Sequence, residues 1–316
     1  LTESYFSQVI GLFYGKKYFG EAGKADVKRM VTAMIKVYQA RLSKNEWLSQ
    51  ETAEKAIEKL DAITPFIGFP DKLPEIYSRL KTTSGSLYED ALKFDEILTA
   101  RTFEKFSEDV DKTSWHMPAH MVNAYYSPDS NTIVFPAAIL QAPFYSLEQS
   151  SSQNYGGIGT VIAHEISHAF DNNGAQFDKE GNLNKWWLDE DYEAFEEKQK
   201  EMIALFDGVE TEAGPANGKL IVSENIADQG GITAALTAAK DEKDVDLKAF
   251  FSQWAKIWRM KASKEFQQML LSMDFHAPAK LRANIPPTNL EEFYDTFDVK
   301  ETDKMYRAPE NRLKIW

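Results

Sequence analysis

The apolar positions of this chain recur mostly at helical spacing. Near the N-terminus one stripe repeats at three- and four-residue intervals: Val27, Met30, Val31, Met34 and Tyr38. Residues at this spacing share one face of an α-helix, so the stripe predicts a helix with one buried side. Ser49 is a favourable N-cap for a second helix, and helical spacing returns near 88–110 and prevails after residue 154. The pattern therefore predicts a mainly helical protein.

Strand patterning is confined to one region of the chain. Segments 121–126 and 132–135 are rich in β-forming residues, and they are separated by a turn-rich loop of hairpin length, Ser127-Pro128-Asp129-Ser130-Asn131. Pro65 and segment 67–70 are interpreted instead as a break between helices. The connector that follows ends in a cluster of turn-forming residues, Thr82-Thr83-Ser84-Gly85-Ser86. We therefore expect a fold that is mainly α with a small β-sheet, in the α+β class.

Composition limits the chemistry that this fold can support. The 316 residues include 36 Lys and Arg against 49 Asp and Glu, which gives a net charge of −13. That charge, with no basic block, argues against nucleic acid or an anionic membrane as the main partner. The chain has no Cys, so disulfides, thiol catalysis and cysteine-bound zinc are excluded, and any metal ligands must be His and carboxylates. No apolar stretch approaches the ~20 residues that span a bilayer.

One short motif, His164-Glu165-Ile166-Ser167-His168, has metal-binding spacing. Residues i and i+4 of an α-helix are about 40° apart around its axis, so both imidazoles project from one face and can bind one ion. Glu165 then lies beside that ion, where it can act on a water molecule. The alternative is a pair of surface histidines on an ordinary helix. It is disfavoured because the flanking residues are apolar and predict a buried helix.

A third ligand has to come from elsewhere, because a catalytic zinc site usually has three protein ligands and one open position. Glu224 and Asp228 are again four residues apart, so they share one helix face. One of these carboxylates can bind the metal, while the other accepts a hydrogen bond from a ligating imidazole and orients it. In isolation, the pair would also suit the exposed first turn of an ordinary helix.

His276 is a further candidate, because Asp274 precedes it by two residues and Arg282 follows six residues later. A histidine near the metal can stabilise an oxyanion, and a neighbouring carboxylate can hold its ring. A lone His beside a Pro is otherwise more often a loop residue. His116 and His120 also have the four-residue spacing, but a proline between them disfavours the helix that would align them. We therefore reject those two as ligands.

Together these segments resemble the neprilysin family of zinc metallopeptidases, and its bacterial endopeptidase O members most closely. The resemblance covers essentially the whole chain, and its most specific parts are Val122-Asn123-Ala124-Tyr125-Tyr126, Asn154-Tyr155-Gly156-Gly157-Ile158-Gly159, 164–168, 224–228, 274–276, Arg282 and Ile315-Trp316. It implies a thermolysin-like zincin catalytic domain over residues 76–316. Residues 1–75 would then be remnant helices of a helical cap lobe and its linker.

The resemblance also implies a role for each matching residue at the metal. Three residues would bind a single Zn²⁺ ion: His164, His168 and Glu224. Glu165 would be the base that deprotonates the zinc-bound water, and then the acid that returns the proton to the leaving amine. Asp228 would support a ligand histidine and so contribute to catalysis, and Asp171 lies where another supporting acid is expected.

Further residues would bind the substrate or the transition state. His276 matches the histidine that stabilises the oxyanion, with Asp274 as the residue that orients it. Asn123 and Ala124 resemble edge-strand residues that bond the substrate backbone, and Arg282 resembles the arginine that anchors its carbonyl. The S1′ pocket, which accepts the residue just after the cut, would be lined by Ile139, Phe144, Val161, Ile257 and Trp258. Plain core packing is the competing interpretation for this last set.

Family chains are about twice as long as this one, and the half without a counterpart would precede Leu1. That N-terminal half would supply much of the lobe over the active site. Vertebrate members carry disulfides and a membrane anchor. The absence of Cys and of an apparent anchor here therefore favours a bacterial protein, and the cytoplasm as its location, with secretion or surface display as the alternative.

The sequence therefore predicts a zinc-dependent endopeptidase that hydrolyses internal bonds of extended oligopeptides. The resemblance adds a preference for a large apolar residue at P1′, the position just after the cut. Two alternatives stay open: a zinc-bearing module that binds peptides or proteins without cutting them, and a fragment that is inactive without its N-terminal half. Glu165, His276 and Arg282 favour an enzyme, because binding alone needs no general base.

Overall fold

The computed structural model describes residues 2–83 and 85–316. Its α-helices are α1 (Thr2–Tyr18), α2 (Gly20–Leu42), α3 (Gln50–Asp61), α4 (Leu87–Glu104), α5 (Ser151–Asn154), α6 (Thr160–Ser167), α7 (Asp189–Phe206), α8 (Val222–Lys240), α9 (Leu247–Ile257), α10 (Lys264–Met273), α11 (Ala279–Asn284) and α12 (Glu291–Phe297). Its strands are β1 (Thr64–Gly68), β2 (Tyr125–Ser127), β3 (Thr132–Pro136), β4 (Glu210–Thr211) and β5 (Gly214–Pro215). The predicted fold class, mainly α with a small sheet, is confirmed.

Local sequence explains where several of these helices begin. The Ser49 side chain accepts a hydrogen bond from the Thr52 amide, so the predicted N-cap of α3 is confirmed. Ser86 and Glu89 form a capping box at the start of α4. The helix predicted near 88–110 therefore exists, but α4 already ends at Glu104. The predicted turn cluster before it includes Ser84, which lies outside the described residues.

The larger sheet has the strand order β1-β3-β2, with β1 parallel and β2 antiparallel to the central strand β3. The predicted hairpin around 127–131 is confirmed. The interpretation of Pro65 and segment 67–70 as a break between helices was wrong, because residues 64–68 form strand β1. Pro65 is tolerated there because β1 lies at the edge of the sheet, where a strand residue without an N–H group can be accommodated.

One hydrophobic core joins the long helices. It includes Met30 of α2, Ala56 of α3, Ile162 of α6, Ile232 of α8 and Phe250 of α9, none of which is more than 1% exposed. The apolar stripe predicted from residues 27–38 is therefore the buried face of α2. The division of the chain at residue 75 stays a prediction. None of the helices in the described ranges is both long and apolar enough to cross a membrane.

Two small residues bring α8 close to α6. A Cβ atom at Gly231 would lie 2.8 Å from the Thr160 carbonyl oxygen and 3.0 Å from the His164 amide nitrogen. At Gly230, a Cβ atom would lie 2.4 Å from the Ser167 hydroxyl. A side chain at Gly231 would push the helices apart, because it would meet backbone atoms, and one at Gly230 would displace the Ser167 hydroxyl. The two glycines thus let the N-terminal turns of α8 reach the histidines of α6.

Candidate metal centre

The His164 to His168 motif lies at the end of one long helical run. Helix α5 continues through a π-helical turn, Tyr155–Gly159, into α6. His168 follows α6 directly, and its amide still donates to the His164 carbonyl oxygen at 3.2 Å. Both imidazoles therefore project from the same side of the helix, as the spacing predicts. His164 and Glu165 are buried beneath the surrounding elements.

Three ligand atoms converge in front of this helix. One atom each of His164, His168 and Glu224 lie within 4.8 Å of one another. The Nε2 atoms of the two histidines are 3.0 Å apart. Glu224 Oε2 lies 3.2 Å from Nε2 of His164 and 3.6 Å from Nε2 of His168. The structure thus brings together the three residues predicted to bind metal.

The outer nitrogen of each imidazole is held by a carboxylate. His164 Nδ1 is 2.9 Å from Asp228 Oδ1, and His168 Nδ1 is 2.6 Å from Asp171 Oδ2. A carboxylate can only accept, so in the neutral imidazoles Nδ1 is the donor and Nε2 keeps its lone pair. Asp228 and Asp171 therefore turn both Nε2 lone pairs toward the same point, as expected for residues that orient metal ligands.

A cation fits the space between these groups. Two Nε2 lone pairs that face each other cannot hydrogen-bond to one another. Among the described residues, the buried Glu224 Oε2 has no hydrogen-bond partner of acceptable geometry. Two imidazoles and one carboxylate form a ligand set that catalytic zinc sites use. The donor chemistry and the unsatisfied oxygen together support a metal site here.

The charges around the centre keep its carboxylates ionised. Burial acts to raise the pKa of Glu224, but the imidazoles of His164, His168 and His276, when they are protonated, outweigh burial and hold the pKa far below its ordinary value. Burial likewise opposes ionisation of Asp228, but Arg282 and His164 lower its pKa to about 2. Both residues are therefore negatively charged at neutral pH and can balance a bound cation.

Glu165 differs from these two acids. Burial raises its pKa above the ordinary value, and the neighbouring charges of His164 and His168 only partly oppose that shift. A carboxylate with a raised pKa is a stronger base, so it is better suited to take and return a proton near neutral pH. Glu165 lines the cavity in front of the three ligands.

His276 lies in the connection between α10 and α11 and reaches the same centre. Its Nε2 lies 3.1 Å from Glu224 Oε2, and its Nδ1 lies 2.8 Å from Asp274 Oδ1. Asp274 Oδ1 also accepts a hydrogen bond from the His276 amide at 3.0 Å. Burial acts to lower the pKa of His276, but Glu224 and Asp274 raise it above its ordinary value. The predicted pairing of His276 with Asp274 is therefore present, and the ring points toward the metal ligands.

Arg282 makes a contact that the sequence did not predict. Its Nε and Nη2 donate to the two oxygens of Asp228, both at 2.7 Å, in a bidentate ion pair. Its guanidinium also lies 3.8 Å from the centre of the Trp258 ring. Since Asp228 holds His164, Arg282 is linked to a metal ligand through one intervening side chain. Its predicted contact with a substrate carbonyl stays a prediction.

A cavity of about 520 Å³ opens over these groups. Its walls include most of the residues predicted to bind substrate: Asn123, Ala124, Ile139, Phe144, Val161, Trp258 and Arg282. Ile257 is the exception, because its buried side chain lines a neighbouring cavity instead. Asn123 and Ala124 lie just before edge strand β2 rather than within it, and Asn123 Oδ1 accepts a hydrogen bond from the Ala124 amide at 2.9 Å.

Two polar residues that hydrogen-bond to the segment after His168 were not predicted from the sequence. Ser223 donates to Asp171 Oδ2 at 2.5 Å, and its position directly before Glu224 is a signal that could have indicated it. Lys59 was overlooked because it lies three residues after Ala56, at the margin of an apolar stripe, where a long charged side chain usually reaches solvent. The rejected candidate His120 contacts Glu3: its Nε2 atom lies 3.1 Å from a Glu3 carboxylate oxygen. It is not part of the ligand cluster.

Comparisons with known proteins agree with this geometry. Family models described as peptidase family M13 match residues 123–313 and 1–70. The "Neutral endopeptidase" of Lactococcus lactis is 99% identical over 316 residues, which are 100% of this chain and 50% of that protein. The chain thus spans about half the length of the curated relatives that it matches.

Solved structures give the same result at the level of the fold. The crystal structure of PEPO from Lactobacillus rhamnosis is 44% identical, with a TM-score of 0.95 over 99% of this chain and 50% of that one. The zinc metalloprotease Zmp1 of Mycobacterium tuberculosis is 33% identical, with a TM-score of 0.90 over 100% of this chain and 50% of that one. The predicted resemblance to the neprilysin family is confirmed, and this chain belongs to peptidase family M13.

Proposed function

We propose that this chain is the catalytic portion of a zinc-dependent endopeptidase that hydrolyses internal bonds of oligopeptides. The observation that supports it best is the convergence of His164, His168 and Glu224 beside a buried Glu165 of raised pKa. A bound zinc ion would supply a Lewis acid that polarises the scissile carbonyl and makes a water molecule more acidic. A site that only bound peptides would need neither the metal nor the base.

Other side chains of the protein would carry out proton transfer, stabilise the transition state and orient the ligand histidines. Glu165 takes a proton from the attacking water and delivers it to the leaving amine, which is general base and then general acid catalysis. His276, held by Asp274, donates a hydrogen bond to the substrate oxygen as that atom becomes negatively charged. Asp228 and Asp171 hold the two ligand histidines in the orientation that the metal requires.

Substrate binding follows from the sheet and the cavity. Strand β2 lies at an edge of its sheet, so an extended peptide can add to it through backbone hydrogen bonds near Asn123 and Ala124. Such bonds do not depend on sequence, which leaves the choice of cleavage site to side-chain pockets. The apolar wall formed by Ile139, Phe144 and Val161 supports a preference for a large apolar P1′ residue.

A cleavage assay with a quenched peptide tests the proposal. With zinc present, we expect products whose masses place the cut before a large apolar residue. A zinc chelator should abolish cleavage, and added zinc should restore it, because the proposed reaction depends on the ion that His164, His168 and Glu224 would bind. Persistent cleavage by protein shown to be free of metal would contradict the proposal. Capture of intact peptide by the zinc-loaded chain would favour the non-cleaving alternative.

A second experiment tests the alternative that the fragment is inactive by itself. If the chain alone gives no products, the N-terminal half of a full-length relative is added in trans. Cleavage that appears only in the mixture would show that the catalytic groups are present but incomplete without that half. The division at residue 75, with the preceding segment as part of a cap lobe, and a location in the bacterial cytoplasm stay predictions.

The P1′ preference gives a separate prediction. Phe144→Ala removes a ring from the apolar wall, so it should lower kcat/KM about tenfold for peptides with Phe or Leu at P1′, and less for peptides with Ala there. The measurement is the ratio of kcat/KM between the two peptides. Leu147→Ala is the matched control, because Leu147 is 59% exposed and outside the cavity wall. An equal loss for both peptides would argue against a P1′ role for Phe144.

A further inference from the structure

Lys59 of α3 carries a buried ammonium group close to the metal centre. The residue is only 1% exposed. Its Nζ donates to three backbone carbonyl oxygens, those of Ala169 at 2.8 Å, Gly174 at 2.8 Å and Phe177 at 2.6 Å. Among the described residues, its hydrogen-bond acceptors are all backbone carbonyl oxygens rather than carboxylates. An ammonium has three N–H donors, so the three carbonyls satisfy it completely.

These carbonyls belong to the segment that follows the second ligand histidine, residues 169–177. The same segment contains Asp171, whose Oδ2 holds His168 Nδ1 at 2.6 Å. Asp171 Oδ1 in turn accepts hydrogen bonds from the Asn173 amide at 2.8 Å and the Gly174 amide at 2.7 Å. The segment is thus folded around the Asp171 carboxylate on one side and around the Lys59 ammonium on the other.

A second set of contacts joins Lys59 to the substrate edge of the sheet. The side-chain Nδ2 of Asn131 donates to the Lys59 carbonyl oxygen at 3.1 Å, and the Tyr126 hydroxyl donates to Asn131 Oδ1 at 3.0 Å. Tyr126 belongs to β2 and lines the catalytic cavity. The Lys59 Nζ also lies 5.9 Å from the centre of the Tyr126 ring. One residue therefore contacts both the segment behind the metal ligand and the hairpin beside the substrate.

The energetic cost of this arrangement argues for a specific role. Burial lowers the pKa of Lys59 to about 7, and the negative charges of Asp171 and Asp178 oppose that shift. Burying an ammonium is unfavourable unless its hydrogen bonds are satisfied, and general stability could be supplied by an apolar side chain of similar length. What an apolar side chain cannot supply is a donor that fixes three carbonyls around one point.

We propose that Lys59 is a positioning residue for the metal centre, which acts by fixing segment 169–177 so that Asp171 holds His168 in its ligating orientation. The proposal rests on the metal site of the proposed function. It adds a residue of α3, which would act on the ion through segment 169–177, then Asp171 and then His168. Its effect should therefore be visible in metal binding itself, without any measurement of peptide cleavage.

The test compares Lys59→Met with Lys55→Met in this chain. Lys55 lies one turn earlier on α3, and its ammonium is more exposed and paired with Glu51 at 2.8 Å. Zinc affinity is measured by competition with a chromophoric chelator, and the visible spectrum of the cobalt-loaded chain reports ligand geometry. We expect Lys59→Met to weaken zinc binding about tenfold and to change the cobalt spectrum, as loss of an outer partner of a metal ligand does. Lys55→Met should leave both unchanged.

A double-mutant cycle with Asp171→Asn separates positioning from general destabilisation. If Lys59 acts through Asp171, adding Lys59→Met to Asp171→Asn should cause less than about a twofold further loss of zinc affinity. Fully additive losses, or an unchanged affinity in Lys59→Met, would overturn the proposal. If Lys59→Met does not fold, Lys59→Gln replaces it in the same cycle, because the polar Gln side chain is one bond shorter than Lys and has only two N–H donors, so it cannot fix the three carbonyls around one point. The same two results would then overturn the proposal.

The unaltered chain and Glu224→Ala are measured in the same assay. If the unaltered chain binds no zinc, or if Glu224→Ala binds it equally well, the proposed metal site fails and this inference fails with it. If those two proteins behave as expected but Lys59→Met binds zinc normally, only the role of Lys59 is refuted.

Discussion

Glu165→Gln is expected to lower kcat/KM for a quenched peptide by about 10³-fold while the zinc content of the protein stays unchanged. Gln has nearly the same shape as Glu but cannot accept a proton at neutral pH, and general acid–base catalysis typically contributes 10²–10⁴-fold. Glu165 is absent from the ligand cluster, so its replacement should leave the three metal-binding atoms in place. Activity by fluorescence and zinc by elemental analysis are measured on the same preparation.

Glu148→Gln is the matched control for this prediction. Glu148 is an exposed residue of the loop before α5 and does not line the catalytic cavity. The same chemical change there should leave both activity and zinc content unaltered. A Glu165→Gln protein with near-normal turnover would show that another group is the base. Loss of zinc from it would mean that Glu165 supports the metal rather than the proton transfer.

Glu224→Ala is expected to weaken zinc binding by more than about 100-fold, beyond the range seen when only an outer partner of a ligand is lost. The change removes one of three ligands and also the negative charge that lies 3.2 Å and 3.6 Å from the two imidazole Nε2 atoms. A bound cation would then be left with two neutral ligands. Peptide cleavage should disappear together with the metal, and excess zinc should restore it only in part.

Asp241→Ala provides the matched control at the other end of the same helix. Asp241 follows the last residue of α8, is exposed, and lies outside the metal cluster. Removal of a carboxylate there changes the net charge of the chain equally but should leave zinc affinity unchanged. Full zinc content in Glu224→Ala, measured by elemental analysis after dialysis, would remove Glu224 from the ligand set.

Much of the site was predictable because its parts are local. His164 and His168 share a helix face whatever surrounds them, since the spacing alone sets that geometry. The same holds for Glu224 and Asp228, and for the short distance between Asp274 and His276 in sequence. The buried face of α2 and the N-cap at Ser49 are also local patterns, and both appear in the structure as predicted.

Strand β1 was missed for a reason of the opposite kind. Residues 64–68 contain a proline and a glycine, and their own pattern does not predict a strand. They become one because they pair in parallel with β3, whose residues lie more than 60 positions later in the chain. The pairing partner supplies hydrogen bonds that no local window reveals, and tertiary context commonly overrides such local preferences.

From the residues alone, the sequence determined that two imidazoles would face one way and that two carboxylates four residues apart could serve them. It left open which carboxylate does which task. The tertiary structure decided this, because Gly230 and Gly231 bring α8 against α6 in one register that places Glu224 at the Nε2 atoms and Asp228 at Nδ1 of His164. It also decided the contacts of Arg282 and Lys59. Both depend on groups far away in sequence, and a spacing rule describes only one helix at a time.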